Sequence, residues 1–160
     1  MAMDMFLKIE GVDGESRDTE HSKEIDVLAW SWGMTQSGSM HVGGGGGSGK
    51  VSVQDVSITK YVDKSSATIM NKTCAGEHFP SAVLYIRKAG GNPLEYWVLT
   101  MNKVLITSIS TGGSGGEDKL TENLTLNFED FKAEYTEQKE DGSAGATTEA
   151  GFNIAENVAV

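Results

Sequence analysis

The sequence is poorest in the residues that make covalent and metal staples. A single cysteine, Cys74, in 160 residues leaves no intramolecular disulfide and no cysteine set for zinc. A chain of this length does not need them, because one domain of that size buries about 70% of the surface its unfolded chain exposes. The three histidines, His21, His41 and His78, stand in separate segments without paired-ligand spacing. No metal and no cofactor are therefore expected, and each histidine reads as a solvated loop residue. Positive charge is also scarce. With 13 basic against 23 acidic residues the formal charge is -10, which repels phosphate backbones and anionic bilayers, so nucleic acid is excluded as an expected partner. No stretch approaches the roughly 20 apolar residues of a membrane span, and no membrane insertion is expected. The opening MAMDMFLKIEG lacks the basic region and apolar run of a secretory signal peptide.

Catalytic sets are missing as well. Gly44 to Lys50 spells G-x-x-x-x-G-K, but Val51 follows where a phosphate loop needs Ser or Thr, and the pattern continues as strand instead of helix. Cys74 and His78 are four apart, yet Gly76 ends the expected helix between them, and Cys74 reads as a small buried hydrophobe. The carboxylate neighbours Glu129–Asp130 and Glu140–Asp141 would point to opposite faces of a strand and cannot share a substrate atom. An enzyme is not expected.

What is abundant is strand pattern and glycine. Ile25 to Met34 alternates a bulky face, Leu28, Trp30, Trp32 and Met34, with a lean one, Val27, Ala29, Ser31 and Gly33. The bulky face is expected in the core. Five consecutive glycines follow at Gly43 to Gly47, with no side chains to pack and a high ordering entropy, so contact from outside the domain would help to order them. Further strands are expected at Met5 to Ile9, Val51 to Val62, Ala82 to Lys88 and Leu94 to Ile109, the last two forming a hairpin across Gly90-Gly91-Asn92-Pro93. Apolar residues on both faces near Trp97 and Leu99 predict a central strand. Leu124, Leu126 and Phe128 then share one face, and the phase slips at Glu129-Asp130, which predicts a bend. One short helix is expected, capped by Asp63 or Ser65, carrying Ala67, Met70 and Cys74 on one face and ended by Gly76. Gln138 to Glu149 reads as loop. The tryptophans Trp30, Trp32 and Trp97 have apolar neighbours and are expected in the core, not as sugar-stacking platforms. The fold class is mainly β, a sandwich or barrel with one helical insert, in a single domain over residues 1–160.

Several segments together resemble the Hcp family, the haemolysin-coregulated proteins that form the inner tube of bacterial type VI secretion systems. They are FLKIEGVDGES at Phe6 to Ser16, IDVLAWSWGM with the QSGSM and polyglycine run after it, VQDVSITKYVDKSS at Val53 to Ser66, IRKAGG at Ile86 to Gly91 and STGGSGGEDKLTENLTLNF at Ser110 to Phe128. The resemblance implies a small β-barrel of two sheets with one short flanking α-helix, closing as a homohexamer whose rings stack into a hollow tube. It implies a VgrG spike, a contractile sheath and baseplate, and effector proteins in the lumen as partners. It also implies a protein held in the bacterial cytoplasm until firing and then secreted without a signal peptide. On this resemblance the loop Met40, His41, Val42, Gly43, Gly44, Gly45, Gly46, Gly47, Ser48, Gly49 and Lys50 is expected to touch an adjacent ring. The lean face, with Ser31 flanked by Ala29 and Gly33, is expected to line the lumen and meet cargo. A phage-tail or extracellular contractile-injection tube shares this architecture, and a monomeric carbohydrate-binding β-sandwich is the alternative from a different class.

Overall fold

A computed structural model describes residues 3–38, 50–88 and 93–160. The period-two segments form strands β1 (Met3–Ile9), β2 (Ile25–Ser31), β3 (Met34–Thr35), β4 (Ser52–Val53) and β5 (Val56–Tyr61). After helix α1 (Ser65–Ala75) come β6 (Phe79–Lys88), β7 (Leu94–Gly112), β8 (Thr121–Asn127), β9 (Asp130–Gln138), β10 (Ala144–Asn153) and β11 (Val158–Ala159). The order across the main sheet is β11-β10-β9-β7-β6-β1-β2-β5-β8, and a second pairing of β8 with β7 closes six of these strands into a barrel. The fold is therefore mainly β, a closed barrel with extra strands and one helix.

The long strand β7 makes closure possible by serving two sheets. Its first part, Leu94 to Val104, pairs with β6, and Trp97 to Asn102 also pair with β9. Its second part, Leu105 to Gly112, pairs with β8. Lys103 sits at the changeover with φ 50, a left-handed turn of the backbone that redirects the strand from one sheet to the other. The bend expected at Glu129-Asp130 lies alongside, between β8 and β9, where the Glu129 N–H donates to the Asn102 carbonyl at 3.0 Å. Inside the barrel Leu7, Ile9, Ile25, Val56, Ile58, Leu84, Leu99, Met101, Val104, Leu124 and Leu126 are each at most 1% exposed. Each such side chain contributes about 1.5–3 kcal/mol by leaving water.

Strand β2 departs from simple alternation. Val27 pairs with Lys60 and Ala29 with Thr59, so Leu28 is an extra residue without a cross-strand partner, a bulge that reverses the phase of everything after it. Val27 and Trp30 consequently both turn toward the core, whereas Leu28, expected there, is 39% exposed. The strand then breaks at Trp32–Gly33, opposite a second break at Gln54–Asp55. The Trp32 indole N–H donates to the Gln54 carbonyl at 2.9 Å and the Gln54 N–H donates to the Gly33 carbonyl at 2.9 Å, which stitches the two breaks together. Beyond them β3 and β4 form a separate two-stranded ribbon, and Met34, also expected in the core, is 46% exposed. Trp30, Trp32 and Trp97 are half-buried at the margin of the core, while Leu99, Leu124, Leu126 and Phe128 are buried within it.

Helix α1 begins after Asp63, whose Oδ1 accepts the Ser65 N–H at 2.9 Å, and ends at Gly76 with φ 66. Its buried face is Ser65, Ser66 and Ile69, not Ala67, Met70 and Cys74. Cys74 is exposed, contrary to its reading as a buried hydrophobe. The cause is polar: Ser66 Oγ donates to the buried Glu122 at 2.6 Å, which rolls that side of the helix inward. Gln138 to Glu149, expected as loop, contains the start of β10. This strand is mostly exposed and rich in Thr, Ala and Gly, so its main-chain pairing with β9 leaves no alternation of apolar side chains to read.

Candidate functional site

Alternation on β5, β8 and the second half of β7 sends Val56, Ile58, Ile106, Leu124 and Leu126 inward, so their neighbours must face out. Those outward residues fall into register across four strands. Ser31 pairs with Ser57, Ser57 with Thr125, and Thr125 with Ser108. In the next row Ala29 pairs with Thr59, Thr59 with Asn123, and Asn123 with Ser110. All of these positions are exposed or half-buried, and none is charged. A solvent-facing patch of this many residues on an ordinary soluble surface would carry about two charges.

Hydrogen bonds tie the hydroxyls together laterally. Thr59 Oγ1 donates to Asn123 Oδ1 at 2.7 Å, and the hydroxyls of Thr107 and Ser108 lie 2.7 and 2.6 Å from Thr125 Oγ1. At one border Asp55 accepts from Thr107 Oγ1 at 2.6 Å and from Asn127 Nδ2 at 2.9 Å. At the other border stand Tyr61, paired with Thr121, and the displaced Leu28. The face is thus polar, uncharged at its centre and tied together by its own side-chain hydrogen bonds.

Ala29 and Ser31, expected on the lean face of β2, are exposed members of these rows, and Gly33 lies half-buried just past the end of β2. The sequence reading missed Ser57, Thr59, Ser108, Ser110, Asn123 and Thr125. A signal for them existed: each of the three strands carries two small polar residues two apart, which places both on one face. Residues Met40 to Gly49 lie outside the described residues, and Lys50, which is described, is exposed and outside any strand.

A second polar cluster lies on the opposite side of the barrel. His21, expected to be solvated, is 4% exposed and stacks on Phe6 at 4.5 Å between ring centroids. Its Nδ1 lies 2.9 Å from Glu24 Oε2 and its Nε2 contacts Glu95 Oε1, so both ring nitrogens are committed to carboxylates. Glu20, His21 and Glu95 bring potential metal-ligand atoms within 4.8 Å of one another, and both His21 ring nitrogens already face carboxylates. Burial raises the Glu24 pKa from its ordinary value, against the hydrogen bond from His21. Nearby, Arg87 donates to Asp18 at 2.5 and 3.1 Å and to Asp4 at 3.1 Å. The cluster pins the excursion between β1 and β2 onto the sheet, and Asp4, Phe6 and Asp18 line a shallow surface hollow of about 310 Å³ beside it.

Comparison with known proteins agrees with this architecture. Residues 6–135 match the family profile described as "Type VI secretion system effector, Hcp". The chain is 59% identical over 160 residues to "Protein hcp1" of Pseudomonas aeruginosa, covering 99% of each. Among solved structures it is similar to Hcp1 from Salmonella typhimurium, at 38% identity and a TM-score of 0.84 with 100% of both chains covered. It is also similar to a structure described as a type six secretion system protein, at 28% identity and a TM-score of 0.94, covering 99% of this chain and 100% of that one.

Proposed function

The chain belongs to the Hcp family of type VI secretion system effectors, and from that premise we propose that it is the structural subunit of the secretion inner tube. Members of this family are structural and not enzymes. In this reading residues 1–160 act as one tube domain. Six copies close into a ring, rings stack into a hollow tube, and a contractile sheath on its baseplate drives that tube out behind a VgrG spike. The protein waits in the bacterial cytoplasm and leaves through the type VI system.

The observation that carries this reading is the uncharged hydroxyl face across β2, β5, β8 and β7. On a chain with a net charge of -10, a solvent-facing sheet whose centre carries no charge suits a wall along which effector proteins are held weakly and then released. Ser31, with Ala29 and Gly33 beside it, is the proposed effector contact. Ring closure around a cyclic axis is a head-to-tail contact, so it draws on two different patches of one subunit, and stacking draws on two more. The glycines of the Met40 to Lys50 loop suit the close backbone approach that a contact with the next ring requires.

Negative-stain imaging and native mass spectrometry of the purified protein test the assembly. Six-membered rings are expected, and a strictly monomeric species at high concentration would overturn the proposal. Ser31→Gln is expected to leave rings intact and to lower retention of co-expressed effectors. Unchanged retention would remove Ser31 from the contact.

A further inference from the structure

The bulge in β2 has a second effect. By removing Leu28 from the cross-strand register, it turns an aliphatic side chain outward at the border of the hydroxyl face, where it is 39% exposed. There Leu28 lines a surface hollow of about 480 Å³ together with Tyr61, Thr121 and the turn residues Glu117, Asp118 and Lys119. Tyr61 alternates with the buried Lys60 and pairs with Thr121, so its ring lies on the same outward side as Thr59 and Ser57. Lys119 holds its ammonium 4.8 Å from the Tyr61 ring centroid, and the two acidic residues Glu117 and Asp118 line the hollow beside it, so its charged lining is acidic on balance.

We propose that this hollow is the anchoring pocket of the cargo wall, and that it takes an aliphatic side chain of a polypeptide cargo with a basic residue beside it. The proposal rests on the reading of the hydroxyl face as the cargo-facing wall. Continuity argues for it, because the Tyr61–Thr121 pair that lines the pocket is the next outward row beside Ala29–Thr59–Asn123. Chemistry argues for it too. The hydroxyl rows bind any polar surface weakly, whereas Leu28 and Tyr61 supply the apolar contact area that gives a complex its lifetime. The two acidic residues of the lining select against an acidic neighbour in the cargo.

The test uses fluorescein-labelled peptides with a central Leu-Arg pair, alongside matched peptides carrying Ser-Arg or Leu-Glu, titrated with the full-length protein by fluorescence anisotropy. Leu28→Ser is expected to weaken the Leu-Arg peptide about tenfold, as loss of one apolar anchor would. Leu28→Met should retain binding, and the Ser-Arg and Leu-Glu peptides should bind the parent protein more weakly. Equal binding of the Leu-Arg peptide by the parent and Leu28→Ser proteins overturns the pocket. Loss of rings in Leu28→Ser, with circular dichroism unchanged, also overturns it by making Leu28 a contact between subunits. If the parent protein itself forms no rings, the tube reading falls, and the peptide comparison still decides the pocket.

Discussion

Among the described residues Lys60 is the bulkiest of the fully buried side chains, and it is an ionisable one. Its ammonium contacts Glu122 and donates to Ser66 Oγ at 3.2 Å and to the Tyr61 carbonyl at 3.0 Å, with Asp63 Oδ1 at 3.2 Å, so the ion is paired and all its protons have acceptors. Such a pair adds little net stability over an apolar replacement, but breaking one half strands the other. Lys60→Met is therefore expected to destabilise the fold by about 3–5 kcal/mol in urea unfolding, and the double change Lys60→Met with Glu122→Leu to recover most of that loss. Acid sensitivity is set at another residue. Hydrogen bonding from Arg87 is the main cause holding Asp18 at about 2, below the usual carboxylate value of 3.8, while partial desolvation works in the opposite direction. A lowered folded-state value means that Asp18 stabilises the fold in full above pH 4, and that this contribution is lost as pH falls from about 4 to 2. Glu24, raised by burial, acts in the reverse sense. Amide exchange in the excursion between β1 and β2 is expected to accelerate over that window, and Asp18→Asn to flatten the acid limb.

Two of the departures from ideal strand geometry decide what the outer surface presents. The bulge at Leu28 exchanges which side chains of β2 face in, and the left-handed Lys103 lets β7 leave one sheet for another. A side chain in that conformation costs about 1–2 kcal/mol, partly offset on replacement by the greater freedom of glycine in the unfolded chain. Lys103→Gly is thus expected to stabilise the protein by about 0.5–1 kcal/mol in thermal unfolding, and Lys103→Val to destabilise it. A neutral or destabilising glycine would show that the Lys103 ammonium, 3.5 Å from Glu129 Oε2, matters more than the backbone. Gly14 is constrained differently. A Cβ there would lie 2.4 Å from the Glu24 carbonyl oxygen, so the excursion folds back on itself only with glycine at that point.

At the scale of the whole molecule, a barrel closed by one shared strand presents a patterned polar outer surface, while most of its apolar residues are used inside. Much of this was legible in the chain itself. The alternation of Val56, Ile58, Leu124 and Leu126, the phase slip at Glu129 and the glycine stop at Gly76 are local effects of backbone geometry and water, so strands, bend and helix end could be read directly. Strands β6 and β7 pair as the expected hairpin, although its turn at Gly90 to Asn92 lies outside the described residues. Charge and the single cysteine likewise bounded the partners and excluded a stapled fold without any knowledge of the architecture. Other features depend on groups far apart in sequence. Whether Leu28 lies in or out was decided by its lost register with β5, the roll of α1 by Glu122, and the burial of His21 by Glu95, which lies 74 residues away. The hydroxyl face exists only because β2, β5, β8 and β7 are brought side by side, since no single strand contributes more than two or three of its residues. Periodicity fixes the direction of a side chain relative to its own strand, and only the pairing of strands decides what it faces.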